Sequence, residues 1–246
     1  DGLIDCMAHG PQCFFNNRIS NVSRCSEDYF VGKPDYARRH IFDSYATIPY
    51  LGQTVWGDHD MFHSSDPHAG RMMAVSKAMS GGPAYLSDAP RDFDERTIRP
   101  LCFDDGRLLR PLAPACPLPD SLFLDPFAED RAFRAVAPLP DRCAAVALYN
   151  LTEPVRDVTG TVSPDDYRRA GAMFQPPVEW ELPAEGLLCY DWDAKTAEKL
   201  DGTKDAPLEG FSDALFLLCP IRNGWAGVGR ADKYMAPGAV RVLEAG

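Results

Sequence analysis

The first hundred residues alternate two hydrophobic periods. Short apolar runs at Leu3–Met7, Arg18–Val22, around Val55–Trp56 and at Ala84–Leu86 read as strands, and each ends in a polar cluster. Between the second and third, "DYARRHIFDSYATI" places Tyr36, Ile41, Phe42, Tyr45 and Ile48 at helical spacing, with Asp35 as a candidate cap. Between the third and fourth, Ser65 or Asp66 is expected to cap a helix with Pro67 in its first turn. Met72, Val75, Ala78 and Met79 then form its buried stripe, and Gly81-Gly82 stops it. A last short helix is expected at "DFDERTIRPL".

After about residue 101 the texture changes. "FDDGRLLRPL" carries a hairpin signal, and "CAAVALYNL", "GLLCYDW", "ALFLLCPI" and "AVRVLE" are short apolar runs broken by Gly, Pro, Asn and Asp. The pattern predicts a parallel α/β region followed by an antiparallel β domain. The proline-rich "RPLAPACPLPD" and "APLPD" mark an irregular connector. The division falls at residues 1–128, connector included, and 129–246.

Composition narrows the function. The chain has 246 residues, 45% hydrophobic, enough to bury a core. A net charge of −11 repels phosphate backbones and anionic lipid surfaces, so neither nucleic acid nor a membrane is an expected partner. No apolar run reaches the ~18 residues of a span. The eight scattered cysteines include no CxxC pair and read as buried free thiols in a reducing, cytoplasmic setting. The chain begins at Asp1 in a strand-like run without an initiator methionine, which reads as a fragment.

The polar clusters carry the candidate chemistry. "SRCSEDY" sets Arg24 four residues before Asp28, and "VWGDHDMFH" sets Trp56, Asp58, Asp60 and Met61 at the end of the next apolar run. In a parallel α/β architecture, ligands bind at that edge of the sheet. Trp56 offers a flat apolar face to a sugar, and Asp58 and Asp60 can accept hydrogen bonds from hydroxyls. Bland readings stand beside these. Arg24 and Asp28 could form a surface ion pair worth ~0–1 kcal/mol. His59, His63 and His68 with Asp58 and Asp60 could bind a metal, although a helix start at Pro67 would point His63 and His68 apart. Met72, Met73 and Met79 read as core, and Trp180, Trp192 and Trp225 as buried sandwich aromatics rather than sugar platforms.

The order "LIDCM", R-x-S-x-D, W-x-D-x-D-M-F-H and "GGPAYLSD", continuing through "DGRLLRPL", "SLFLDP" and "LFLLCPI…MAPGAV", resembles the C-terminal half of glycoside hydrolase family 36, raffinose synthase and seed imbibition type. The resemblance implies a (β/α)8 TIM barrel, of which the four strands here are the fifth to eighth, followed by an antiparallel β-sandwich. It implies a retaining α-galactosidase or α-galactosyltransferase acting on raffinose-type oligosaccharides, with no cofactor and no metal. Asp28 would be the acid/base, and the nucleophile an aspartate in a K-x-D-like motif upstream of residue 1. The fragment alone would then be inactive. Arg24, expected to contact the substrate or the other acid rather than Asp28, and Asp60 and Met61 would bind sugar. His59 replaces the usual residue between the acids. Cys6 to His9 would lie where the clan tells galactose from other sugars, and Ser87 and Asp88 on the same rim. Water or a sugar hydroxyl could enter the second step; short loops favour hydrolysis. The alternative is a non-catalytic carbohydrate-binding or scaffold protein. Four barrel strands without partners leave an open edge, so the isolated chain is expected to form homo-oligomers or aggregate.

Overall fold

The computed structural model describes residues 2–8 and 10–239. Its N-terminal region is a row of short parallel pairings. Asp5 bridges Ser23 in parallel; β1 (Val22–Arg24) pairs in parallel with β2 (Trp56–Asp58), Arg24 opposite Asp58; and Phe62 bridges Leu86 in parallel. Helices fill the intervals: α1 (Pro11–Asn16), α2 (Pro34–Ala46) with the short α3 (Ile48–Leu51), and α4 (Gly70–Ser80). The expected succession of four strand positions and intervening helices is therefore observed.

Local details differ from the sequence reading. Pro34 opens α2, and Asp35 does not cap it but pairs with Arg38 at 2.6 Å. Tyr36 is exposed, while Ile41, Tyr45 and Ile48 are buried. α4 starts at Gly70, later than Pro67 suggests. Asp66 instead holds a preceding turn, its carboxylate accepting from the amides of His68 and Ala69. The helix is buried nearly all round, not along one stripe. It stops where expected, at Gly81, whose φ of 69° suits glycine and whose missing Cβ leaves room for the Trp56 ring. The last helix of this region is α5 (Glu95–Ile98), capped by the Asp94 carboxylate on the Arg96 amide. Asp105-Gly106 turns the hairpin that pairs Cys102 with Leu108.

The antiparallel region contains β3 (Cys116–Pro117), β4 (Phe133–Pro138), β5 (Ala144–Tyr149), β6 (Val158–Val162), α6 (Pro164–Arg168), β7 (Leu187–Asp191), β8 (Thr196–Lys199), β9 (Lys204–Leu208) and β10 (Asp213–Pro220). Six strands form one sheet in the order β3-β4-β5-β10-β7-β8, and β6 pairs with β9. The run "AVRVLE" lies almost wholly outside the described residues.

Alternation along β5 explains how the two regions hold together. Ala144, Val146 and Leu148 face Val158, Val162, Ala206 and Leu208 of the β6–β9 pair. Ala145, Ala147 and Tyr149 face the α2 and α4 side, with Ile41, Tyr45 and Met73. The Tyr149 and Tyr45 hydroxyls meet at 2.8 Å. Arg71 of α4 pairs with Asp213 of β10 and stacks on Trp192 and Tyr234. Trp180 is buried and Trp192 half-buried, but Trp225 is 82% exposed at the Asn223-Gly224 turn, contrary to the buried reading. All eight cysteines are free thiols; four are buried, whereas Cys6 and Cys13 are exposed. Among the described residues, no helix is long and apolar enough to cross a membrane.

Candidate active site

The parallel register that sets Arg24 opposite Asp58 builds the site. The Arg24 guanidinium reaches three carboxylates: Nη1 to Asp28 Oδ1 at 3.0 Å, Nε to Asp58 Oδ2 at 3.4 Å and Nη2 to Asp60 Oδ1 at 2.5 Å. The expectation that Arg24 avoids Asp28 is therefore corrected. One guanidinium with five donors serves all three acids at once. Burial opposes the Arg24 charge, but Asp60, Tyr85 and Asp58 outweigh it and hold the group above its ordinary value.

The three carboxylates are not equivalent. The Asp58 and Asp60 side chains are 1% and 2% exposed, while that of Asp28 is 60% exposed. Tyr85 donates its hydroxyl to Asp58 at 2.8 Å, and the Tyr29 amide donates to Asp60 Oδ2 at 2.7 Å. Asp60 sits at a φ of 63° and donates its own amide to Asp58 Oδ1 at 2.9 Å, a local bond suited to that left-handed position. Asp58 and Asp60 are thus occupied by the protein itself, and Asp28 presents the accessible carboxyl.

The other sequence candidates are placed as follows. Trp56 shares the strand face of Asp58 and is half-buried against Gly81, and Met61 is half-buried. Asp88 is buried in a separate knot, accepting from the Ser64 and Ser65 amides at 2.7 and 2.9 Å and from the Ser65 hydroxyl. Burial works against its charge, but those donors hold its carboxyl below the usual range. Cys6 is exposed in the turn after Asp5, and His9 lies outside the described residues. The histidines are not gathered: His59 sets Nδ1 2.7 Å from Ser76 Oγ, while His63 lies beside the Tyr29 ring. Among the described residues, no group of three or more His, Cys, Asp or Glu side chains is arranged for a metal ion.

Several residues of the site went unassigned from the sequence. Tyr85 lies inside the quoted "GGPAYLSD". Lys77, a buried cation in the middle of α4, donates to the His59 carbonyl at 2.5 Å, and burial lowers its pKa to about 7 against the opposing pull of Asp60 and Asp58. His40 places its ring between two carbonyls of the same loops. A lone lysine inside an apolar helix was the available signal.

Three acids are thus organised at the C-terminal ends of parallel strands, with one carboxyl accessible, at the edge where parallel α/β folds bind ligands. Residues 1–151 match the sequence profile described as raffinose synthase or seed imbibition protein Sip1, and the chain belongs to that family. Over 99% of its length the chain is 32% identical to the galactinol–sucrose galactosyltransferase of Pisum sativum, covering 34% of that protein. Over 61% of its length it is 31% identical to the probable galactinol–sucrose galactosyltransferase 6 of Arabidopsis thaliana, covering 20%. The chain thus spans about a third or less of the length of these relatives. Among solved structures, α-galactosidase I of Mortierella vinacea matches with a TM-score of 0.56 at 14% identity, over 82% of this chain and 54% of that one. A β-L-arabinopyranosidase of Geobacillus stearothermophilus matches with a TM-score of 0.60 at 18% identity, over 86% and 47%. These two act on different sugars by name, so the shared fold does not choose the sugar.

Proposed function

We propose that this chain supplies the acid/base half of a retaining α-galactosyl hydrolase or transferase acting on raffinose-type oligosaccharides, and that its four parallel strand positions are the fifth to eighth of a (β/α)8 barrel. The observation that carries this reading is the inequality of the three acids around Arg24: two buried and internally bonded, one 60% exposed. An acid/base must reach the glycosidic oxygen, protonate it as it leaves, and take a proton from water or an acceptor hydroxyl in the second step. Asp28 alone of the three is accessible to do so. Retaining chemistry also requires a second carboxyl about 5–5.5 Å away to attack the anomeric carbon. Asp58 and Asp60 are poor candidates because Arg24, Tyr85 and the Tyr29 amide already occupy their oxygens. The family resemblance implies a nucleophile on a K-x-D-type strand before the strand of Asp5. The names of the plant relatives support galactosyl transfer.

The test compares the longest natural polypeptide containing residues 1–246 with its Asp28→Asn variant on aryl α-galactosides. Activity in the parent should fall by several orders of magnitude in the variant, with partial recovery on a leaving group that needs no protonation. A parent inert on every glycoside tried, or a variant as active as the parent, would overturn the reading and favour a sugar-binding or scaffold role.

A further inference from the structure

Two buried groups that the proposed chemistry leaves unused meet on the main chain of the site. Glu27 immediately precedes Asp28, and His59 stands between Asp58 and Asp60. His40, from α2, places Nδ1 2.9 Å from the Glu27 carbonyl oxygen and Nε2 2.9 Å from the His59 carbonyl oxygen. Lys77, from α4, donates Nζ to the same His59 oxygen at 2.5 Å, which its two lone pairs allow. Both side chains are buried. Most other buried positions of α4 are apolar, among them Met72, Met73, Val75, Ala78 and Met79, with only the small hydroxyls of Ser76 and Ser80 beside them, so packing alone does not call for a cation there.

We infer that His40 and Lys77 are positioning residues that fix the loops of Asp28 and Asp60 relative to each other: the His40 ring lies between the carbonyls of Glu27 and His59 and its one N–H holds one of them, and Lys77 donates to the second. This rests on Asp28 being the acid/base. The clamp ties α2 to the backbone bearing the accessible acid and α4 to the backbone bearing the buried ones. A shift of an ångström in such a constellation costs ~100-fold in rate.

The charges around the pair give it a pH signature. His40 faces Lys77 and Arg24, with the Tyr29 ring edge beside it; burial, then Lys77, push its pKa down to about 3. It is neutral near pH 7, so one of its two carbonyl contacts lacks a proton. Lys77 faces Asp60, Asp58, Cys25, Arg24, His40 and His59, and its pKa of about 7 makes it the member of the pair that titrates near neutrality.

The experiment uses the longest natural polypeptide containing this chain, with His40→Phe, Lys77→Met and Asp28→Asn compared on phenyl and dinitrophenyl α-galactosides. Folded His40→Phe should lose ~100-fold in kcat/KM on the phenyl substrate and no more than ~threefold on the dinitrophenyl one, because kcat/KM reports the first step, in which a misplaced acid matters only where the leaving group needs a proton. Equal losses on both substrates, or none, would overturn the inference. If His40→Phe does not fold, Lys77→Met decides by the same comparison: a loss confined to the phenyl substrate supports the clamp, and equal losses on both substrates or none overturn it. Asp28→Asn is the control. If it shows no preference between leaving groups, the acid/base reading itself has failed and this inference falls with it.

Discussion

The parallel and antiparallel regions bury different things. Around β1 and β2 the buried side chains include Arg24 and Asp58 on strands only three residues long, His59 and Asp60 in the loop that follows, and His40 and Lys77 on the flanking helices. In the antiparallel region, β5 buries six consecutive apolar residues, and ion pairs such as Arg131 to Asp120 and Lys204 to Glu198 lie toward the surface. Burying charge costs free energy that burying Ala, Val and Leu does not. A region that retains such a cluster is shaped by something other than stability, and the site belongs there.

The contrast breaks most sharply at Arg24. Arg24→Met removes the cation while leaving Asp58 and Asp60 almost wholly buried, and should destabilise the fold by ~3–5 kcal/mol, read as a fall in the denaturant midpoint. A loss below ~1 kcal/mol would mean that water or Tyr85 compensates and that the cluster is not tightly closed. In the sheet, Leu148→Ala should cost ~2–5 kcal/mol by opening a cavity against Val158 and Gly160, with no special dependence on pH. Similar magnitudes from unlike causes are separable by titration.

The two regions also differed in how far their sequences could be read. α4 was legible through Met72, Val75, Ala78 and Met79 and its stop at Gly81, but its start was not. Asp66 and Pro67 belong to a separate turn, closed by the Gly70 amide on the Asp66 carbonyl at 2.9 Å, and local signals do not distinguish two successive turns. Asp58 and Asp60 stood out as a pair. Their burial under Arg24 did not, because it depends on a register linking residues 34 positions apart. His40 lies beside Ile41 on the buried side of α2 and was not singled out from the sequence. β8, "TAEK", is exposed at all four positions and carries no apolar period to find.

The buried histidines give the pH dependence of the first region. Burial, then Lys77, hold His40 at about 3, against 6.5 for an ordinary histidine, and the same two causes push His59 well below 6.5. Between those values the unfolded chain binds protons that the folded chain does not. Stability therefore rises with pH across the window and is lost as pH falls from about 6.5 toward 3, at about 1.4 kcal/mol per pH unit for each histidine. Lys77 acts with the same sign between about 7 and 10.5, since its folded pKa is also depressed. Urea midpoints should fall between pH 7 and pH 5, and His40→Asn should flatten the slope. A slope unchanged by that variant would assign the acid sensitivity elsewhere.

Asp28→Asn should have the smallest effect on stability. Asp28 meets the Arg24 guanidinium through one oxygen, at 3.0 Å, with its side chain 60% exposed. A pair that open to water contributes ~0–1 kcal/mol, and the asparagine can keep a contact through its carbonyl oxygen. Asp60→Asn is the opposite case, since it weakens a buried pair with Arg24 and swaps an acceptor for a donor beside either the Tyr29 amide or the guanidinium. Measured side by side, the two variants separate a carboxylate held for chemistry from one held for structure. If Asp28→Asn costs more than ~2 kcal/mol, Asp28 belongs with the buried acids, and its exposure no longer argues for proton transfer.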